Sequence, residues 1–196
     1  MSPWEYALLA QEAYTAKPDI GREDSASRAI VREVDDGLAV AFPGTNNLPC
    51  VEADIDLKSI HIFGVGNVFQ GFWKAWDAIA EEVIKTINGR PVVFVGHSLG
   101  AAMAILAAAD VSSLGQDVLA VWGFEPPKVA TDWELGQMLI DVPLHLYRNG
   151  GDVVPSLPLG GEHPRALIQL GSPAFPNVGD HDLSKVIANL EPSNAP

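Results

Sequence analysis

Ser98 stands at the centre of Gly96-His97-Ser98-Leu99-Gly100, between the β-branched run Pro91-Val92-Val93-Phe94-Val95 and an alanine-rich stretch over 101–109. G-x-S-x-G arises often by chance. A strand before it and a helix after it make it a sharp turn that presents the serine hydroxyl at the end of a sheet. Gly96 and Gly100 lack the Cβ atoms that would clash in such a turn. The helix N-terminus that follows favours negative charge developing beside it. The chemistry expected of Ser98 is nucleophilic attack on a carbonyl; the plainer alternative is a serine in an ordinary strand-to-helix turn.

A serine hydroxyl needs a positioned base to take its proton, and histidine is the usual one. Five histidines are present. His97 flanks Ser98 directly, so its side chain is expected to point away and pack. His61 and His145 fall within expected strands, where a structural role is the ordinary one. His163, in a loop before a strand, is the rival to His181, which lies in Gly179-Asp180-His181-Asp182 ahead of the last helix. His181 also comes last in the order Ser, Asp or Glu, His that this kind of turn demands, and it is the preferred base.

The acid that orients the base is expected after a strand that follows Ser98. Asp152, in Arg148-Asn149-Gly150-Gly151-Asp152-Val153-Val154-Pro155, meets that requirement, with Glu125 as the second candidate and an ordinary turn aspartate as the alternative. Two backbone donors are needed for the oxyanion. Leu99, directly after the nucleophile, supplies one. The Phe42-Pro43-Gly44-Thr45-Asn46 loop supplies the other through Thr45, whose hydroxyl adds a further donor. One such donor is typically worth about 3 kcal/mol in the transition state.

The elements that must position these groups follow from the apolar pattern. Helices are expected over 4–16, 72–87, 99–109, 131–139 and 182–190. Strands are expected over 29–34, 38–42, 57–63, 92–95, 118–123, 144–148 and 166–170. Short apolar strands alternating with helices predict an α/β fold, a mostly parallel central sheet flanked by helices. The 196 residues read as one domain, 1–196, with an N-terminal helix and connector over 1–27 and a possible short lid over 46–56. The Pro- and Gly-rich stretch 149–164 reads as an active-site loop.

A formal charge of −13 excludes a phosphate-neutralising surface, so no nucleic-acid partner is expected, nor docking to anionic membranes. Cys50 is the single cysteine, which rules out an intrachain disulfide. No apolar run approaches the roughly 20 residues of a membrane span. Residues 1–6 have no signal-peptide character, which makes a cytoplasmic location the expectation unless a leader has been removed. No phosphate loop or metal-ligand spacing is present, so neither cofactor nor metal is expected.

With these residues in place, the chain resembles the class 3 (fungal-type) lipases of the α/β-hydrolase superfamily. Gly96 to Gly100 matches that family's Gly-His-Ser-Leu-Gly turn residue for residue. Phe42-Pro43-Gly44-Thr45 is similar to its oxyanion strand and turn, and Gln70-Gly71-Phe72 with Ala75-Trp76 to its His-Gly-Phe helix entry. Phe124 to Val129, the stretch from Arg148-Asn149 through Asp152 to Pro155 with Leu157-Pro158, and Asp180-His181 resemble the remaining motifs. The resemblance runs from about residue 29 to residue 190. It implies Ser98, Asp152 and His181 as a triad, Thr45 and Leu99 as oxyanion donors, and a structural role for Asp54. Pro43 stands in place of an Arg, Gln70 of a His, and Glu125 of a Gly.

Together these features predict a carboxylic ester hydrolase, a lipase or esterase of lipid metabolism acting through an acyl-enzyme on a small ester or lipid. The short, partly acidic lid favours soluble or short- to medium-chain esters or acylglycerols. The alternatives are a binding protein that keeps the fold without turnover, and an acyltransferase or phospholipase using the same three residues.

Overall fold

The computed structural model of the chain describes residues 1–45, 56–173 and 176–192. The expected lid, with Asp54 and most of 46–56, lies outside the described residues. A helix α1 (Pro3–Thr15) leads into β1 (Ile20–Gly21), β2 (Arg28–Val34) and β3 (Gly37–Phe42). A hairpin of β4 (Ser59–Ile62) and β5 (Gly66–Phe69) precedes α2 (Gln70–Ile87). Strands and helices then alternate through β6 (Val92–His97), α3 (Leu99–Ser113), β7 (Val118–Phe124), α4 (Glu134–Met138) and β8 (Leu144–Asn149). The described chain closes with β9 (Ile168–Leu170) and α5 (Leu183–Leu190).

The main sheet has seven strands in the order β1-β2-β3-β6-β7-β8-β9. The first two pairings are antiparallel and those from β3 to β9 are parallel. This is the expected α/β arrangement. Parallel register has a direct consequence for the site: Phe42 pairs with Gly96, His97 with Phe124, and Phe124 with Tyr147. The segments that leave β3, β6, β7 and β8 therefore emerge at one rim of the sheet.

Two cores sandwich the sheet because successive strand side chains point to opposite faces. Leu38, Val40 and Phe42 with Val92 and Phe94 enter one core, beneath α2 and α3. Ala39 and Ala41 with Val93 and Val95 enter the other, with α1 and α5. β6 is buried along its whole length, as a central parallel strand must be. α3 is buried on every side from Leu99 to Ala109, which explains why it is apolar all round instead of amphipathic. Trp76 packs edge-on to Phe42 and Phe94 at 6.1 and 6.4 Å, and its indole N–H donates to Asp110 at 2.9 Å. Truncating it to alanine typically costs about 3–5 kcal/mol.

α1 is started by a capping box: the Ser2 hydroxyl accepts from Glu5 N–H and the Glu5 carboxylate accepts from Ser2 N–H. A cap of this kind contributes about 1 kcal/mol. It fixes where the helix begins, and so where Tyr14 falls in its last turn.

Some expectations need correction. The strand expected over 57–63 is instead one arm of a separate two-stranded hairpin, Ser59 pairing with Phe69 and Ile62 with Gly66. The Gly64-Val65-Gly66 turn between two apolar runs carried that signal. The helix expected over 131–139 shortens to Glu134–Met138. Thr131 N–H donates to the Asn67 carbonyl, and the Asp132 carboxylate accepts from Glu134 N–H, so the first residues of that stretch form a link to the hairpin and a turn ahead of the helix. Ile20–Gly21 adds a short edge strand that two residues of pattern do not announce.

Candidate active site

Ser98 is the residue between β6 and α3, with φ 57° and ψ −126°. That backbone is costly for any residue with a Cβ, of order 1–3 kcal/mol, and persists only where its surroundings enforce it. They do so here. Ser98 N–H donates to the Phe124 carbonyl at 2.9 Å, and the Ser98 carbonyl accepts from Ala101 at 2.9 Å. A Cβ on Gly96 would sit 2.2 Å from the Gly100 carbonyl, and one on Gly100 would sit 2.2 Å from that of Phe42. Only glycine allows strand, turn and helix to approach this closely.

Asp152 and His181, 29 positions apart, are brought together. His181 Nδ1 lies 2.7 Å from Asp152 Oδ2, and both residues are buried. The other Asp152 oxygen accepts from Val154 N–H at 3.0 Å, which fixes the carboxylate plane. His181 Nε2, on the far side of the ring, is buried with no hydrogen-bond partner among the described residues. An imidazole held in this way donates from Nδ1 and leaves Nε2 free as a base.

The segment carrying His181 is tied to the Asp152 loop at several points. Gly151 N–H donates to the Asp180 carboxylate at 2.9 Å, and Asn149 Nδ2 donates to the Asp180 carbonyl at 3.0 Å. The Gly151 N–H bond and the Lys185 ammonium hold the Asp180 pKa below the usual carboxylate range. Asn189 Nδ2, from α5, donates to Asn149 Oδ1 at 2.7 Å.

His97 does point away from Ser98, but into a polar network and not simply into packing. Its Nε2 lies 3.1 Å from the His181 carbonyl and 3.0 Å from Glu125 Oε2. A carbonyl can only accept, so Nε2 carries the hydrogen. Nδ1 then accepts from the Tyr14 hydroxyl, 2.6 Å away. Burial, aided by the nearby His181, pushes the His97 pKa down to about 3 and keeps the ring neutral. The His97 and His181 rings lie 4.7 Å apart. Sequence reasoning gave no role to Tyr14: a tyrosine on a helix 83 positions away carries no local mark of this contact.

The oxyanion candidates sit on two edges of Ser98. Leu99 opens α3, where the first N–H groups have no carbonyl one turn earlier to receive them. On the other edge, Gly44 packs so closely that a Cβ there would lie 3.1 Å from Ser98 Cβ and 2.2 Å from the Tyr14 oxygen. The Gly44 backbone hydrogen-bonds to the Tyr14 phenol, whose pKa burial raises. Thr45 follows, its hydroxyl buried and without a partner among the described residues.

His163, the rival base, bonds the Pro155 carbonyl at 2.8 Å, and burial lowers its pKa. It supports the loop after Asp152 and makes no contact with that carboxylate. His61 is an exposed residue of the hairpin, 3.7 Å from Glu134, and His145 stacks on Trp122 at 4.0 Å.

Glu125, the second candidate for the acid, is wholly buried in left-handed backbone with φ 54°. Its Oε2 lies 3.6 Å from His181 Nδ1, against 2.7 Å for Asp152, so Asp152 is the better-placed partner. One donor atom each of His97, Glu125 and His181 falls within 4.8 Å of the others. Both imidazole nitrogens that face Glu125 carry hydrogens, so they present no lone pair to a cation.

The model of the lipase (class 3) family matches residues 39–162, more than half of the chain. The chain belongs to the class 3 lipases. It is 30% identical over 127 residues to the secreted mono- and diacylglycerol lipase A of Penicillium cyclopium, covering 60% of this chain and 41% of that one. It is also 30% identical over 169 residues to the secreted mono- and diacylglycerol lipase MDL3 of Malassezia globosa, covering 74% and 54%. This family member thus spans about half the length, or less, of those relatives. Among solved structures, a lipase from Rhizopus microsporus var. chinensis superposes with a TM-score of 0.73 at 18% identity, over 91% of this chain and 84% of that one. A mutant of MDLA from Penicillium cyclopium gives a TM-score of 0.68 at 22% identity, over 91% and 81%. These structures share its α/β-hydrolase fold. Among the described residues, no helix is long and apolar enough to cross a membrane.

Proposed function

We propose that this class 3 lipase family member is a serine-dependent carboxylic ester hydrolase, with Ser98 as nucleophile, His181 as base and Asp152 as its orienting acid. The observation that carries the reading is the buried 2.7 Å contact between His181 Nδ1 and Asp152, which leaves Nε2 unpartnered. His181 Nε2 takes the hydroxyl proton as Ser98 Oγ bonds to the ester carbonyl carbon. The Thr45 and Leu99 N–H groups receive the oxyanion. Collapse breaks the bond to the alcohol, which leaves with the proton from His181. Water then repeats the sequence on the acyl-enzyme, releasing the carboxylic acid and restoring Ser98.

Catalytic hydrogen bonds often tighten only when substrate is bound, which accommodates a free Nε2 in the resting enzyme. The substrate class proposed is short- to medium-chain esters, including mono- and diacylglycerols, the compounds for which the relatives are named. Those relatives are also named as secreted, and we propose an extracellular site of action in place of the cytoplasmic expectation.

A fluorophosphonate probe tests the nucleophile: wild type becomes labelled at Ser98 and Ser98→Ala does not. Equal labelling of both proteins removes Ser98 from the scheme. A graded series of p-nitrophenyl esters tests the substrate class. Activity falling beyond about eight acyl carbons supports it, and activity rising on emulsified long chains contradicts it.

A further inference from the structure

We propose that Glu125 is a positioning residue whose carboxyl group bridges the His181–Asp152 pair to the His97–Tyr14 pair beneath the Gly44–Thr45 loop. The inference rests on the reading of Ser98, His181 and Asp152 given above and adds a residue to it.

Four observations carry the bridge. Glu125 is fully buried, immediately after β7, at the rim where the other segments emerge. Its Oε2 accepts from His97 Nε2 at 3.0 Å and lies 3.6 Å from His181 Nδ1, so one oxygen faces both rings. His97 continues the chain to Tyr14, and Tyr14 to Gly44, whose neighbour Thr45 is the proposed oxyanion donor. Finally, Glu125 holds a left-handed backbone, φ 54°, that is unfavourable for a side chain of this size. Strain of that kind at a buried residue marks a site where the surroundings hold it in place.

The charge state follows from what surrounds the carboxyl. His97 faces it from β6, Asp152 from the loop after β8, His181 and Asp180 from the turn before α5, and Tyr14 is near it from α1. No lysine or arginine pairs with it among the described residues. Burial, then the charge of Asp152 and contact with it, push the Glu125 pKa up to about 10. Two carboxyls this close do not both ionise. Glu125 is the carboxyl held as a neutral acid, and it fills the buried space behind the His181–Asp152 pair. The alignment of the base with Ser98 and the setting of the oxyanion loop are thereby coupled.

The test is steady-state hydrolysis of a water-soluble p-nitrophenyl ester by wild type, Glu125→Gly and Glu125→Gln, from about pH 5 to pH 9, with fluorophosphonate labelling alongside. Glycine suits the left-handed backbone but removes the bridge, and kcat is expected to fall at least about tenfold while KM moves less than about twofold. Glutamine restores a neutral group that can accept from His97. It is expected to recover most of that loss, with the acid limb of kcat/KM at the wild-type pH. Wild-type kcat in Glu125→Gly overturns the bridge. An acid limb displaced to lower pH in Glu125→Gln means that an ionised carboxylate has been lost, and overturns the neutral role. Wild type unlabelled at Ser98 defeats the nucleophile reading instead, so the two failures are distinguishable.

Discussion

The Tyr14 hydroxyl lies 2.6 Å from His97 Nδ1, joining the last turn of the N-terminal helix to the residue just before Ser98. The same oxygen meets the Gly44 backbone, so one phenol braces both the Ser98 turn and the Gly44–Thr45 loop. The capped helix α1 is thus part of the site's framework, although it contributes no group to the chemistry.

Tyr14→Phe leaves His97 Nδ1 and the Gly44 N–H without a partner in a closed space. A buried group abandoned in this way costs about 1–3 kcal/mol, which for a domain of this size lowers Tm by roughly 2–4 °C per kcal/mol. Differential scanning calorimetry checks it, and an unchanged Tm refutes the bracing role.

Asp152→Asn keeps the shape of the acid but offers an N–H where His181 Nδ1 needs an acceptor. The imidazole then turns to the tautomer that carries hydrogen on Nε2 and has no lone pair for Ser98. On the proposed mechanism kcat falls about 10^3–10^4-fold with KM little altered. Retention of more than about a tenth of wild-type kcat excludes Asp152 from the orienting role.

His97 titrates at about 3 in the folded protein, well below its value of roughly 6.5 in the unfolded chain. A depressed imidazole pKa means that the unfolded state binds more protons as pH falls below 6.5, so this contribution to stability is present above that pH and lost below it. The Tm difference between wild type and His97→Asn is therefore expected to shrink from about pH 7 to pH 4. A difference that stays constant over that interval contradicts a neutral, buried His97.

Ser98→Gly removes the Cβ from a backbone of φ 57°, ψ −126°. Relief of strain outweighs the entropy that glycine adds to the unfolded chain, and stability is expected to rise by about 1 kcal/mol while hydrolysis is abolished. Urea titration at constant m-value measures it; a fall in stability means that the turn holds the serine without strain.

Much of the fold is legible along the chain because its signals are local. The runs at 38–42, 92–97 and 118–124 are apolar on both faces, and strands covered on both sides must be so. Asn88-Gly89, a common helix-stop pair, ends α2 in left-handed backbone. The β4–β5 hairpin is half legible: its first strand shows and the Gly64-Val65-Gly66 turn marks a reversal, but the four residues of Gly66–Phe69 are too few to stand out as a second strand.

The candidate site divides along the same line. A strand, a glycine-flanked serine and an alanine-rich helix dictate the strained turn at Ser98 by themselves, because crowding between near neighbours acts over five residues. Asp152 and His181 were readable as candidates from their order and loop context, as were His163 and Glu125. Only the tertiary structure sets their contacts, giving Asp152 the 2.7 Å contact with His181, leaving His163 on a carbonyl, and setting Glu125 between two histidines. The reason is geometric. Parallel pairing of β3, β6, β7 and β8 brings their ends to one rim, and distances between loops from different strands depend on sheet register and helix packing, which no local pattern encodes.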